Sequence, residues 1–271
     1  MSVLLQISDT HFGTEQPPVV EALVALARQQ RPDVVVLSGD ITQRARPDQF
    51  RAARAFVDRL GAPLLAIPGN HDLPLFNLWS RALHPYAHHV AAFGADLEPV
   101  HATPDLLVIG VNTTRAWRHK NGEVSAAQIE RVAQRLQAAH PGQLRVVVVH
   151  QPVAVTRTAD EPNLLRNRTA ALGRWAEAGA DLLMGGHIHL PYVKPLPGLA
   201  RPLWAVQAGT AVSSRVREGM PNSVNVLRWP ASIEGATTDA CRIERWDFSA
   251  AQGAFVPALD HTVHPARGGV G

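Results

Sequence analysis

Five short apolar runs in this chain each stop at a residue able to bind a metal, and that repeated pattern constrains the fold more than any other feature. Val3–Ile7 leads to Ser8-Asp9-Thr10-His11, Val34–Leu37 to Ser38-Gly39-Asp40, and Leu64–Ile67 to Pro68-Gly69-Asn70-His71-Asp72. Leu144–Val149 leads to His150-Gln151-Pro152, and Leu182–Met184 to Gly185-Gly186-His187-Ile188-His189. Leu106–Val111 is a further run of the same kind. Continuous rather than alternating apolarity is the mark of strands buried on both faces.

Helical spacing fills the gaps. Val20, Leu23, Val24 and Ala27 share one stripe, and Phe50, Ala53, Phe56, Val57 and Leu60 share another within a segment that starts at Pro47 and stops at Gly61. Ser125 with Gln128 three residues on is a capping-box pattern, so a helix should begin there with Ile129, Val132 and Leu136 facing inward. Strands alternating with helices predict an α/β protein with buried sheet. After about Ala200 the pattern changes to strand-like pieces without helices, Leu203–Gln207, Ser223–Trp229 and Cys241–Phe248, expected to complete a second sheet as antiparallel strands. One catalytic domain over residues 1–263 is expected, with 264–271 a frayed tail or contact arm.

Composition excludes several alternatives. The chain has 271 residues and a formal charge of +3, and its only lysines are Lys120 and Lys194, so its basicity is arginine scattered among acidic residues. A nucleic-acid interface would cluster basic residues on one element, so a binding module of that type is not expected. Cys241 is the sole cysteine, which argues against a disulfide framework and for a reducing, cytoplasmic setting. The N-terminus lacks a basic segment followed by a long apolar one, and no apolar run approaches the roughly 20 residues that span a bilayer.

The residue types suit a metal pair. Loops at the carboxyl ends of strands are where α/β proteins build ligand sites, so the five endings can converge. Two cations about 3.5–4 Å apart repel, and a carboxylate between them can bind both while cancelling charge; Asp40 is the candidate bridge. A mixture of imidazole, carboxylate and amide oxygen indicates a transition-metal pair, with Fe, Mn and Zn all admissible. Residues two apart in extended chain point the same way, so Asp9 with His11, and His187 with His189, can approach one centre. Taken singly, each has an ordinary explanation as a cap, a turn former or a core histidine; taken together they form a site.

At these residues the sequence resembles the calcineurin-like metallophosphoesterase superfamily, whose blocks D-x-H, G-D, G-N-H-[D/E], H and G-H-x-H all occur here in order between Asp9 and His189. The resemblance implies a four-layer α/β/β/α sandwich of two mixed sheets flanked by helices. It implies one metal held by Asp9, His11, Asp40 and His189, a second held by Asp40, Asn70, His150 and His187, and a water or hydroxide between them as nucleophile. His71 is not needed as a ligand and could stabilise the transition state or protonate the leaving oxygen, with Asp72 orienting it. A metal-free scaffold on this fold would have lost ligands, and this chain retains all of them.

Within the superfamily, the protein Ser/Thr phosphatases read G-D-Y-V-D-R-G and place Glu after G-N-H, whereas this chain has Ile41-Thr42-Gln43-Arg44 and Asp72. The G-D-I-T and G-N-H-D blocks, and the segment from Gly209-Thr210-Ala211 to Pro221-Asn222-Ser223, look like the small bacterial phosphodiesterases that include the class III cyclic nucleotide enzymes. The expected partner is therefore a small phosphodiester such as a 3',5'-cyclic nucleotide, with a glycerophosphodiester or a phosphomonoester as the alternative, a nuclease less favoured, and a second copy of the chain a further option. Arg115, Arg215 and Arg217 are candidate phosphate or base contacts. His84, His88 and His89 are expected on a lid or surface helix rather than as extra ligands.

Overall fold

A computed structural model of the protein describes residues 1–75, 78–233 and 236–266. The first half runs β1 (Ser2–Ile7), α1 (Pro17–Gln30), β2 (Val34–Ser38), α2 (Pro47–Asp58), β3 (Leu64–Ile67), α3 (Leu78–Leu83), α4 (Ala87–Phe93), β4 (Val100–Ala102), β5 (Leu106–Gly110) and α5 (Ala126–Gln137). The second runs β6 (Leu144–Val148), α6 (Arg168–Glu177), β7 (Leu182–Gly185), β8 (Tyr192–Pro195), β9 (Trp204–Gln207), β10 (Ser223–Trp229), β11 (Ala231–Ile233), β12 (Ala236–Thr238), β13 (Cys241–Ser249) and β14 (Ala254–Val263). No helix among the described residues is long and apolar enough to cross a membrane.

Two six-stranded mixed sheets carry the fold, ordered β14-β13-β10-β1-β2-β3 and β4-β5-β6-β7-β9-β8. The strand residues show why the apolar runs are continuous. Leu4, Val34, Val36, Leu65 and Ile67 of the first sheet meet Leu106, Val108, Val146, Val148, Leu182 and Met184 of the second in a core between the sheets. Their alternates, Val3, Leu5, Ile7, Val35 and Leu37, pack outward against the stripes of α1 and α2. On the other side Leu107, Ile109 and Val147 pack against Ile129, Val132, Leu136 and Trp175 of α5 and α6. The side chains of these central strands are thus covered whichever way they point, and the layers stack as helices, sheet, sheet, helices.

The expected capping box begins α5: Ser125 Oγ accepts from the Gln128 backbone N–H at 3.2 Å, and Gln128 Oε1 accepts from the Ser125 N–H at 2.9 Å. Such a cap stabilises a helix by about 1 kcal/mol.

One expectation needs correction. The late strands do not complete one sheet: β10 and β13 extend the first sheet antiparallel from β1, whereas β9 joins the second and runs parallel to β7. His89 lies on α4, whose outer residues Ala87 and Ala91 are exposed as a surface helix requires, but its own side chain points inward: α4 packs on α2 and buries it to 1% exposure, its ring against Phe50 and Phe93. Of the segment from His264, expected to be frayed or a contact arm, Pro265 is buried and the Ala266 carbonyl accepts from Arg201 at 2.6 Å; residues 267–271 lie outside the described residues.

Candidate metal centre

The loops after β1 and β2 are stitched together: the Asp9 N–H donates to the Gly39 carbonyl at 3.1 Å and the His11 N–H to the Asp40 carbonyl at 3.0 Å. Asp9, His11, Asp40, His187 and His189 all have positive φ, from 40° at His11 to 75° at His187. Left-handed backbone is strained for non-glycine residues and persists where the surrounding structure enforces it, often at functional sites. The two-apart pairs therefore converge through these sharp turns, not through the extended geometry that their spacing suggested. Gly69 has a different role: a Cβ there would lie 2.0 Å from the Asp40 nitrogen, so only glycine lets the third loop approach the second.

All seven candidate ligands meet. His189 Nε2 stands 3.4 Å from Asp9 Oδ1 and 3.2 Å from His11 Nε2, while His11 Nε2 is 3.9 Å from Asp40 Oδ2. On the other side His150 Nε2 stands 3.2 Å from Asp40 Oδ1 and 3.3 Å from Asn70 Oδ1. His187 joins this second group, its ligand atom within 4.8 Å of those of Asp40 and His150. Donors around a tetrahedral ion at about 2.1 Å are roughly 3.4 Å apart, so both groups have the right size for a metal.

The chemistry of these atoms also calls for cations. His150 Nδ1 faces the Ser38 carbonyl at 2.9 Å and His189 Nδ1 faces the Arg215 carbonyl at 2.5 Å. Donating Nδ1–H there leaves each Nε2 lone pair aimed at carboxylate or amide oxygens, an arrangement of acceptors that a cation relieves. Both ring nitrogens of His187 are buried without a protein partner. Burial raises the Asp40 carboxyl, but His150 and His71 outweigh this and hold it well below the usual carboxylate range. Burial lowers the His150 ring, yet Asp40 raises it further, to about 9; the carboxylate draws positive charge to this spot.

His71 and Asp72 differ from expectation in one respect. His71 Nδ1 faces the Gln43 carbonyl at 3.0 Å, and its Nε2 faces Arg215 Nη1 at 3.3 Å. Asp72 does not orient this ring. Its carboxylate accepts from the backbone N–H groups of Ile41, Thr42 and Gly69 at 3.0, 2.8 and 2.8 Å and from the Thr42 hydroxyl at 2.9 Å, locking the second loop to the third. Burial, then the charge of Asp40, pushes this carboxyl up to about 6 against those donors. The carbonyl of Gln43, which sequence reasoning passed over, takes the orienting role; no motif marks a main-chain oxygen.

A cavity of about 370 Å³ opens over the metal-binding atoms, lined among others by His71, Lys120, Asp160, His187, Arg215 and Arg217. Of the three candidate arginines, Arg217 is tied to Asp160 at 2.9 Å and to the Ile188 carbonyl at 3.2 Å. Arg115 is held by the Asn112 and Thr114 carbonyls and by Gln128, outside the cavity lining. His84, His88 and His89 join none of the metal-ligand groups found among the described residues.

Comparison with known proteins agrees with this geometry. A cAMP/cGMP dual specificity phosphodiesterase of Mycobacterium tuberculosis is 29% identical over 205 residues, 69% of this chain and 61% of the relative, so the aligned stretch falls short of that protein's length. A probable cyclic nucleotide phosphodiesterase of Synechococcus is 26% identical over 70% of this chain and 74% of its own. Among solved structures, a dimetal phosphatase from Danio rerio superposes with a TM-score of 0.68 at 14% identity, covering 98% of this chain and 99% of that one, which shows a shared fold. Residues 2–191, a span that carries every one of the five strand-end blocks, match the calcineurin-like phosphoesterase family, and the chain belongs to it.

Proposed function

We propose that the protein hydrolyses small phosphodiesters, with 3',5'-cyclic nucleotides the best-supported class, at a two-metal centre within a single catalytic domain. The observation that carries this reading is the position of Asp40, whose Oδ1 faces His150 and whose Oδ2 faces His11, so one carboxylate belongs to two ligand groups. In this reading Asp9, His11 and His189 complete one site and Asn70, His150 and His187 the other. Bound there, Fe, Mn or Zn would neutralise phosphoryl charge and lower the pKa of water. His71, anchored on the Gln43 carbonyl, presents Nε2 toward the cavity, where in its protonated form it donates to the departing alkoxide. The names of the mycobacterial and cyanobacterial relatives favour cyclic nucleotides as the substrate class.

The test is a metal-reconstituted panel comparing cyclic nucleotides, glycerophosphodiesters, bis-aryl and mono-aryl phosphates with one leaving group, and single- and double-stranded DNA. Turnover should be highest on cyclic nucleotides, and the bis-aryl ester should be preferred to the mono-aryl one. A clear monoester preference would move the protein to the small-molecule phosphatases, and DNA cleavage exceeding small-diester turnover would make it a nuclease.

A further inference from the structure

We propose that Arg215 binds the substrate's phosphoryl group, its guanidinium donating to a non-bridging oxygen; this rests on the phosphoesterase reading above. Arg215 lies in the Gly209–Ser223 loop after β9, which the rest of the site holds in place. The Ala211 N–H donates to the Ser8 carbonyl at 3.0 Å, the Gln16 N–H to Val212 at 2.9 Å and the Ser214 N–H to Thr14 at 2.9 Å. Asn222 closes the loop by donating to the Ser213 carbonyl at 2.8 Å. The motif read from sequence as a family signature is therefore a clasp that fixes this arginine against the first strand-end loop.

Arg215 meets the site with both of its ends. Its carbonyl receives His189 Nδ1 and, at 3.0 Å, the Thr210 hydroxyl, an anchoring that any side chain at this position would preserve. Its Nη1 lies 2.9 Å from Gln43 Oε1 and 3.3 Å from both His11 Nδ1 and His71 Nε2. No carboxylate is within ion-pair distance of it among the described residues, and its Nε and second amino group have no protein partner there. Arg217, by contrast, is neutralised by Asp160. A fixed, uncompensated guanidinium beside a cation-binding cluster is electrostatically costly unless an anion lies between them. Its planar array of donors matches phosphoryl oxygens.

The experiment uses metal-loaded wild type, Arg215→Lys and Arg215→Ala, with metal content by elemental analysis, kcat and KM on the bis-aryl ester, and calorimetric binding of inorganic phosphate. Arg215→Ala should keep its metals, lose about 10- to 100-fold in kcat/KM and weaken phosphate binding by a similar factor, the size of one charge-assisted contact. Arg215→Lys should recover part of both. Guanidinium ion in solution should restore turnover to Arg215→Ala but not to His71→Ala, which a merely structural role would not produce. Unchanged phosphate affinity in Arg215→Ala, or loss of a metal from it, overturns the assignment. Should the wild type bind phosphate through Arg215 yet cleave none of the esters, the phosphoesterase reading fails while Arg215 stands.

Discussion

Two histidines in this protein, His187 and His89, bury both ring nitrogens without a protein partner, and they mean different things. His187 sits in the loop after β7, its ligand atom within 4.8 Å of those of Asp40 and His150. His89 sits in α4 with its ring centroid 6.2 Å from Phe50 and 5.3 Å from Phe93, and among the described residues no carboxylate or second imidazole converges on its nitrogens. Burial depresses both rings, His187 to about 3 and His89 to about 4. An orphaned nitrogen is a cost in either place. Where other ligands converge, a bound metal would repay it. In an aromatic pocket nothing does.

The largest effect should come from the metal side of the contrast. Asp40→Ala should abolish turnover and metal retention, and His187→Ala should lose one metal together with the rise in Tm that metal addition gives the wild type. Elemental analysis showing two tightly held ions in an active Asp40→Ala protein would sink the bridging role; His89→Leu should leave metal content and turnover unchanged.

His71 tests the boundary between a histidine near the candidate metal centre and one that would hold metal, because its ligand atom lies within 4.8 Å of those of His11 and Asp40. His71→Ala should retain both ions yet lose roughly 10²–10⁴-fold in turnover on a poor leaving group, and much less on an aryl ester that scarcely needs a proton. Equal losses on both esters would assign it to electrostatic stabilisation, and a missing ion would make it a ligand.

His89 should appear as a stability effect dependent on pH. Burial holds its folded pKa at about 4, below the 6.5 of a free imidazole, so the unfolded chain takes up the proton first and stability falls as pH drops through that window. The full contribution, present above pH 6.5 and lost by pH 4, is roughly 3 kcal/mol. Urea unfolding of wild type and His89→Leu should diverge by that amount between pH 7 and 4; parallel curves would show that the ring is solvated. The smallest effect is at pH 7 itself, where His89→Leu should gain about 1 kcal/mol from removing the unpartnered nitrogens.

The sequence by itself determined β1, β2, β3, β5, β6, β7, β9, β10 and β13, the helices α1, α2 and α5, and the set of residues that converge; the short or edge strands β4, β8 and β14 and the helix α6 were not read from it. It could do so because each is written locally: continuous apolarity needs cover on both faces, a capping box closes within four residues, and ligands at strand ends share one edge of the sheets. Long-range neighbours were not legible. Nothing in Leu203–Gln207 tells which sheet it joins, since its pairing partner β7 is chosen by the packing of both sheets. Asp72 adjoins His71 in sequence but turns to backbone N–H groups about 30 residues earlier, at Ile41 and Thr42. Arg215 could not be told from Arg115 or Arg217 by type. Only the tertiary structure distinguished it, by closing a loop that brings its guanidinium to a histidine 204 residues away, because side-chain contact depends on chain path and not on composition or spacing.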